Sequence, residues 1–266
     1  MDSETMDSGK LPEFFYEIFD ASLPRLGPGD EASTLKALDM LYGAGSRPAG
    51  QPSAPPTRIL DLGCGNGAQT LVLARHTNGS ILAVDNHQPC LDELQRRAEA
   101  AGVSARIRTS LRDMRSLEKS DGPFDLIWSE GALFVMGFRE GLALCHSLLS
   151  PGGGLAASEL CWLRPDPPAE CRQFFAMGYP AMTDIETNLT AIRACGYNVV
   201  GHFPQPESAW WEPYYRPLEK RLRSLRRRYA ADVQKQSLME QIQKEIDLYR
   251  QYSAYYGNVF FVMRRR

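Results

Sequence analysis

The 266-residue sequence has almost no net charge: 30 Lys and Arg face 32 Asp and Glu, leaving −2. A chain so balanced sets up no global field to recruit nucleic acid. It also lacks the ligand spacings of a metal centre. Its six cysteines (Cys64, Cys90, Cys145, Cys161, Cys171 and Cys195) are scattered, with no C-x-x-C pair and no histidine cluster beside them. This usage implies reduced thiols in a cytoplasmic protein. No run approaches the ~20 apolar residues of a membrane span. Met1 to Lys10 is polar and has no apolar signal region, and there is no internal repeat at solenoid periods. What is present is 43% hydrophobic residues with 23% charged. That is enough to bury the core of one large domain, or of one domain with an added cap, without staples.

The most informative stretch is Arg58 to Gly67. Ile59, Leu60 and Leu62 form an apolar run short enough for a buried parallel strand. Glycines follow at alternate positions, Gly63, Gly65 and Gly67, and then an amphipathic helical pattern from Ala68 to His76. Strand, glycine loop and helix in that order place backbone N–H groups beside a ligand at a strand's carboxyl end. Gly63-x-Gly65-x-x-Ala68 satisfies the loose dinucleotide pattern. Asp61 opposes that reading, because an acid just before the glycines repels a pyrophosphate and suits an ammonium or sulfonium group.

On Asp61-Leu-Gly-Cys-Gly-Asn-Gly67 the chain resembles the class I S-adenosylmethionine-dependent methyltransferases. The resemblance is carried further by Leu149-Ser-Pro-Gly-Gly153 before a strand, and by the order of the strand ends from Thr57 to Trp162. The core is similar to the ubiquinone- and sterol-methyltransferase type. It implies an α/β, Rossmann-like sheet of seven mostly parallel strands with an antiparallel last strand and helices on both faces. Residues 1–56 would be a tail and helical cap, and 57–266 the cofactor-binding domain, with cap insertions around 163–182 and 204–256. Within the cap, Ser33 or Thr34 would cap a helix from Leu35 to Tyr42, and Gly43 to Pro56, rich in Gly, Pro and Ser, reads as a connecting loop. It implies S-adenosylmethionine as cofactor, S-adenosylhomocysteine as product, and no metal. It places Arg25 and Gly27, in Arg25-Leu-Gly-Pro-Gly29, near the cofactor's amino-acid end, alongside Asp61 and the Gly63, Cys64, Gly65 and Gly67 backbone.

The remaining strand ends carry the other candidates. The second strand, Ser80 to Asp85, ends in an acid 22 positions after Gly63. A carboxylate there can accept both ribose hydroxyl protons; the alternative is Asp85 as N-cap of the helix beginning near Gln88. Asn86 follows it at the same rim. After the third strand, Arg106 to Leu111, the resemblance implies a loop that holds the adenine, with the contact between Ser110, the Leu111 backbone and Asp113. The fourth, Phe124 to Glu130, ends in Glu130, and in the family that the chain resembles this strand end faces the methyl group. Glu130 either orients the acceptor and takes its proton or contacts the cofactor. Ser129-Glu-Gly-Ala132 replaces the Asn/Asp-Pro-Pro-Tyr motif of amino-group DNA and protein-glutamine methyltransferases, which argues against those substrates. The fifth, Leu155 to Glu159, brings a second carboxylate, and Trp162 follows. Two acids at one rim would favour a cationic acceptor.

Aromatic residues Trp210-Trp-Glu-Pro-Tyr-Tyr215 lie just past a sixth strand, Tyr197 to Phe203. Trp211, Tyr214 and Tyr215 are therefore candidate acceptor contacts with Trp162, against plain packing. Leu218 to Tyr256 reads as one long charged helix, and Asn258 to Met263 as the last strand. The basic run Arg221 to Arg228 reads as a solvated helix face, since acids follow at Glu240, Glu245 and Asp247. The expectation is methyl transfer to a small molecule by direct displacement. Its rivals are a non-catalytic cofactor-binding scaffold, an NAD-dependent oxidoreductase and an RNA methyltransferase.

Overall fold

In the computed structural model, residues 13–43 and 58–266 are described. The expected tail and most of the expected Gly43–Pro56 loop lie outside them. Helices α1 (Glu13–Ile18) and α2 (Glu31–Tyr42) precede β1 (Arg58–Leu62), α3 (Ala68–His76), β2 (Ser80–Asp85), α4 (Gln88–Ala100) and β3 (Ile107–Leu111). Then come β4 (Phe124–Glu130), α5 (Phe138–Leu148), β5 (Leu149–Trp162), α6 (Ala169–Gly178), β6 (Thr183–Asp184), α7 (Ile185–Ala194) and β7 (Tyr197–Pro204). A helical segment follows: α8 (Ser208–Trp210), a π-helical turn (Trp211–Tyr215) and α9 (Arg216–Arg228). Helix α10 (Val233–Tyr252) and β8 (Tyr256–Arg265) complete the chain.

The sheet runs β3-β2-β1-β4-β5-β8-β7, with the two-residue β6 beside β5. β8 is antiparallel to both of its neighbours, and the pairs among β1 to β5 are parallel. The seven-strand expectation thus holds for the main order. Strand order reverses between β1 and β4, so their carboxyl ends frame the crevice where open α/β sheets bind ligands. Both faces are covered, which is why the central strands read as continuous apolar runs rather than alternating ones. Leu60, Leu62, Ile127, Ala157 and Phe261 pack under α5 and α7. Ile59, Leu126, Trp128, Ala156 and Phe260 pack under α2, α3 and α4.

Four expectations change. Helix α2 is not part of the cap: Ala37, Leu38 and Leu41 join the core of one sheet face, and its N-cap is Asp30, whose Oδ1 accepts from Ser33 N at 2.7 Å, not Ser33 or Thr34. α1 does belong to the cap. Ile18 and Leu23 pack with Leu218, Leu222 and Met239, so the N-terminal and C-terminal additions form one lid over the sheet's carboxyl rim. The long helix is two, because the chain breaks after Arg228 and restarts at Asp232, which accepts from Lys235 N. β5 begins at Leu149, but its ladder with β4 jumps from Leu149 to Gly154, leaving 150–153 as an irregular excursion.

The basic run is divided. Arg221 donates to Glu17 O at 2.6 Å and pairs with Asp20, while Arg228 pairs with the Glu17 carboxylate. Those two arginines fasten α1 onto α9. No helix among the described residues is long and apolar enough to cross a membrane.

Candidate functional site

The loop between β1 and α3 puts Gly63, Gly65 and Gly67 at φ of +71°, +53° and +81°, which other residues rarely adopt. At two of them close packing also demands glycine. A Cβ on Gly63 would lie 2.4 Å from Ala132 Cβ, and one on Gly67 2.1 Å from Leu94 Cδ1. Gly65 differs: a Cβ there meets only Leu26 Cδ1, at 3.5 Å. The two outer glycines seat the loop, and the middle one presents open backbone toward the crevice.

The loop's hydrogen bonds overturn one expectation. Gly63 N and Cys64 N both donate to Val84 O, at 2.9 and 3.0 Å; Gly65 N donates to Asp85 Oδ2 at 2.8 Å and Gly67 N to Cys64 O at 3.0 Å. Four N–H groups that a phosphate cradle would offer are therefore occupied within the protein. Cys64 itself is buried, its thiol pushed well up by desolvation, so only its backbone belongs to the loop. Asn66 donates to Ala21 O and Leu23 O at 3.0 and 2.7 Å, tying the loop to the segment after α1.

Asp61 does not face the crevice. It is fully buried and accepts from Thr70 Oγ1 at 2.6 Å and from Gln69 Nε2 at 3.3 Å, both on α3. Burial pushes its pKa up to about 7 against those two hydrogen bonds. Its place is beneath the loop, clamping strand to helix.

Asp85 stands at the β2 end. Oδ1 accepts from His87 N at 3.0 Å and Oδ2 from Gly65 N at 2.8 Å. An ionised carboxylate has about four acceptor sites, so two remain for a ligand's hydroxyls. Desolvation raises its pKa, and the N-cap of α4 is His87, not Asp85. Asn86 beside it is exposed. The Tyr16 ring of α1 stacks on His87 at 3.9 Å and 8°, a lid contact over the β2 end. At the β3 end, Asp113 caps its own turn, accepting from Arg115 N at 2.8 Å and pairing with the Arg115 guanidinium. Each Asp113 oxygen keeps an acceptor site, as with Asp85, so Ser110, half-buried, Leu111, 53% exposed, and Asp113, exposed, all stand as the adenine candidates on this loop. Met114, whose Cε is 3.4 Å from the Gly63 Cβ position, flanks the glycine loop from the same side.

The two rim glutamates part company. Glu130 Oε1 accepts from Thr34 Oγ1 at 2.7 Å and from Trp128 Nε1 at 2.9 Å, and Oε2 pairs with the buried Arg25 guanidinium. Its carboxylate is 2% exposed. Fully partnered, it fixes the Arg25 segment to the β4 end, and the general-base reading of Glu130 fails on that geometry. Arg25 in turn serves Glu130, while Gly27 lies in open space where a Cβ would meet nothing.

Glu159 is 3% exposed, accepts from the Tyr179 hydroxyl at 2.7 Å through Oε1, and has no hydrogen-bond partner among the described residues at Oε2. Burial pushes its pKa up to about 7. Glu130 is level with Ser158 in the ladder, so Glu130 and Glu159 project from opposite faces of the sheet. A two-carboxylate pocket for a cation is not formed.

The aromatic run is mostly packing. Tyr214 and Tyr215 are buried, and the Tyr215 hydroxyl donates to Glu245 at 2.9 Å. Trp211 lies under the Arg250 guanidinium, 5.0 Å from its ring centre. Trp162 is half-buried against Phe175 and Tyr256. Among the described residues, the buried polar groups near this run without a partner are on Gln205, Trp210 and Tyr256. The sequence points to Trp210 only as the first residue of the aromatic run, and to Gln205 and Tyr256 not at all; only hydrogen-bond accounting across the fold distinguishes the three from their neighbours.

Residues 59–153 match a family model described as a methyltransferase domain. Methyltransferase GfsG of Streptomyces halstedii is 29% identical over 39% of this chain and 37% of its own length. The 27-O-demethylrifamycin SV methyltransferase of Amycolatopsis mediterranei is 26% identical over 67% of this chain and 63% of its own length. The chain thus spans between about a third and two thirds of these curated relatives. A solved structure, a SAM-dependent methyltransferase from Geobacter sulfurreducens in complex with S-adenosyl-L-homocysteine, superposes with a TM-score of 0.78 at 21% identity, covering 96% of this chain and 99% of that one.

Proposed function

We propose that this chain, a class I S-adenosylmethionine-dependent methyltransferase by its fold and by the methyltransferase domain at residues 59–153, moves a methyl group to a small-molecule acceptor. One observation carries the choice of cofactor. The glycine loop has four of its N–H groups occupied, by Val84 O, the Asp85 carboxylate and Cys64 O. A pyrophosphate needs those donors free; the cationic sulfonium of S-adenosylmethionine does not.

S-Adenosylmethionine supplies an activated methyl group when bound. The residues present fit it: open backbone at Gly65, two remaining acceptor sites on Asp85, and Ser110, Leu111 and Asp113 at the β3 end. This chain's part is alignment and exclusion of water. The lid of α1, α6, α9 and α10 closes over the rim, and the Arg25–Glu130 pair holds its leading edge. Of the two rim glutamates only Glu159 keeps an oxygen without a partner among the described residues; it lies on the opposite sheet face from Glu130, and its part in taking the acceptor's proton is tested below.

Two measurements follow. Methyl-labelled cofactor, incubated with the protein and a cell extract, places its label in the organic-extractable fraction. Label in the acid precipitate would mean an RNA or protein acceptor. With an acceptor in hand, kcat/KM climbs with pH up to about 7, where Glu159 becomes ionised, and levels above it. Glu159→Gln lowers the rate roughly 10²–10⁴-fold and removes that limb. An unchanged limb in the variant would clear Glu159 of the role.

A further inference from the structure

Five buried side-chain polar atoms lack a hydrogen-bond partner among the described residues, and four of them belong to Gln205, Trp210 and Tyr256. Native proteins leave few such atoms, and each calls for a reason. These four are neighbours. Tyr256 stands opposite Trp162 in the β5–β8 ladder, and Asn258 opposite Leu160. Gln205 N donates to Asn258 O at 2.8 Å, continuing the β7–β8 pairing. Side chains two apart on a strand share a face, so Gln205, Tyr256 and Trp162 project together, from the face that also carries Glu130. Trp210 lies edge-on to Tyr256, with ring centres 6.5 Å apart. The next residue toward the N-terminus, Ala209, accepts from Gly29 N at 3.0 Å. That contact joins the cluster to the Arg25–Gly29 segment, which closes on the β4 end.

We propose that Gln205, Trp210 and Tyr256 are the recognition patch for the methyl acceptor, and that the acceptor presents an uncharged hydrogen-bond-accepting oxygen, a carbonyl, ether or hydroxyl, on an apolar skeleton. This rests on the methyltransferase reading and narrows its substrate. The donor inventory sets the class. The indole N–H only donates, the phenol donates, and the Gln205 amide offers both donors and an acceptor. Trp162, Phe175 and Tyr249 supply apolar surface around them. Charge of either sign is unsuited. The buried cation on this face, Arg25, is already neutralised by Glu130. The nearby Glu245, held by Tyr215, opposes an anion. A cation would meet N–H and O–H groups that donate.

The test begins with the full chain and no ligand. Tyr256→Phe and Gln205→Leu delete polar atoms that have no partner, whereas Tyr215→Phe deletes a donor to buried Glu245. Tyr215→Phe is expected to lower the melting temperature by roughly 2–8 °C, and the other two to leave it within about 1 °C or raise it. A fall in both Tyr256→Phe and Gln205→Leu matching Tyr215→Phe would mean that those atoms are structurally held, by water or by protein, and overturns the patch.

Methyl-labelled S-adenosylmethionine with a deproteinised extract then reads function. Both variants should transfer at least about tenfold less label than the unaltered chain, about what the loss of one or two buried hydrogen bonds takes away. The product should enter organic solvent equally at about pH 3, 7 and 11, which bracket carboxylate and amine titration. Label that extracts only at the acid or only at the alkaline end identifies a charged acceptor and contradicts the proposal. Absence of transfer by the unaltered chain sinks the methyltransferase reading itself, which the melting comparison does not require.

Discussion

Glu130→Ala is expected to destabilise the folded chain by about 3–5 kcal/mol, the cost of leaving one member of a buried ion pair uncompensated. Arg25 and Glu130 are only 9% and 2% exposed at their side chains. Removing the carboxylate strands the Arg25 charge and takes the acceptor from Thr34 Oγ1 and Trp128 Nε1 as well. Urea denaturation measures it. A companion double variant, Arg25→Met with Glu130→Leu, removes both charges and should recover most of the loss, because replacing a buried pair by apolar groups is often neutral. The pair's worth is then in placement: it joins the segment after α1 to the end of β4. If Glu130→Ala cost less than about 1 kcal/mol, the value of an exposed pair, the carboxylate would be free in solution. The general-base reading would then return.

The second large effect is on binding. Asp85→Ala should weaken S-adenosylmethionine binding by roughly 1.5–3 kcal/mol, about ten- to hundred-fold in Kd, as expected for a lost hydrogen bond to a charged acceptor. Two contributions combine. The ligand's hydroxyls lose their acceptor, and Gly65 N loses the Oδ2 contact that holds the loop's middle glycine in place. Titration calorimetry gives the Kd, and melting in the absence of ligand separates loop collapse from lost contact. If Kd were unchanged, Asp85 would serve only the turn into α4, where it accepts from His87 N.

How far the sequence speaks for itself follows from the range of each interaction. The glycine loop, the strand on one side and the helix on the other are local, and Ile59 to His76 announces them. The acids at the ends of β2, β4 and β5 are equally legible as residues at strand ends. Their roles are not, because each is decided by a group distant in the chain. Glu130 is claimed by Arg25, 105 residues away, and Glu159 by Tyr179, 20 residues away. Tyr215 and Tyr256 are alike in composition and setting, yet α10 brings Glu245 to one and no polar partner to the other. Two misses were local and readable. Asp30 at the start of α2 is as good an N-cap as Ser33, and its side chain reaches three residues on. Asp113 followed by Met and Arg is a turn-capping pattern of the same kind. The division of the lid lay out of reach. Only packing shows that α1 joins the C-terminal helices while α2 joins the sheet.

The most direct test is a parallel calorimetric titration of the purified chain with S-adenosylmethionine, S-adenosylhomocysteine and NAD. The occupied N–H groups of the glycine loop predict heat from the two adenosyl-sulfur compounds and none from NAD. Binding of NAD alone would contradict the account, because it would require the loop to release donors now bound to Val84 and Asp85.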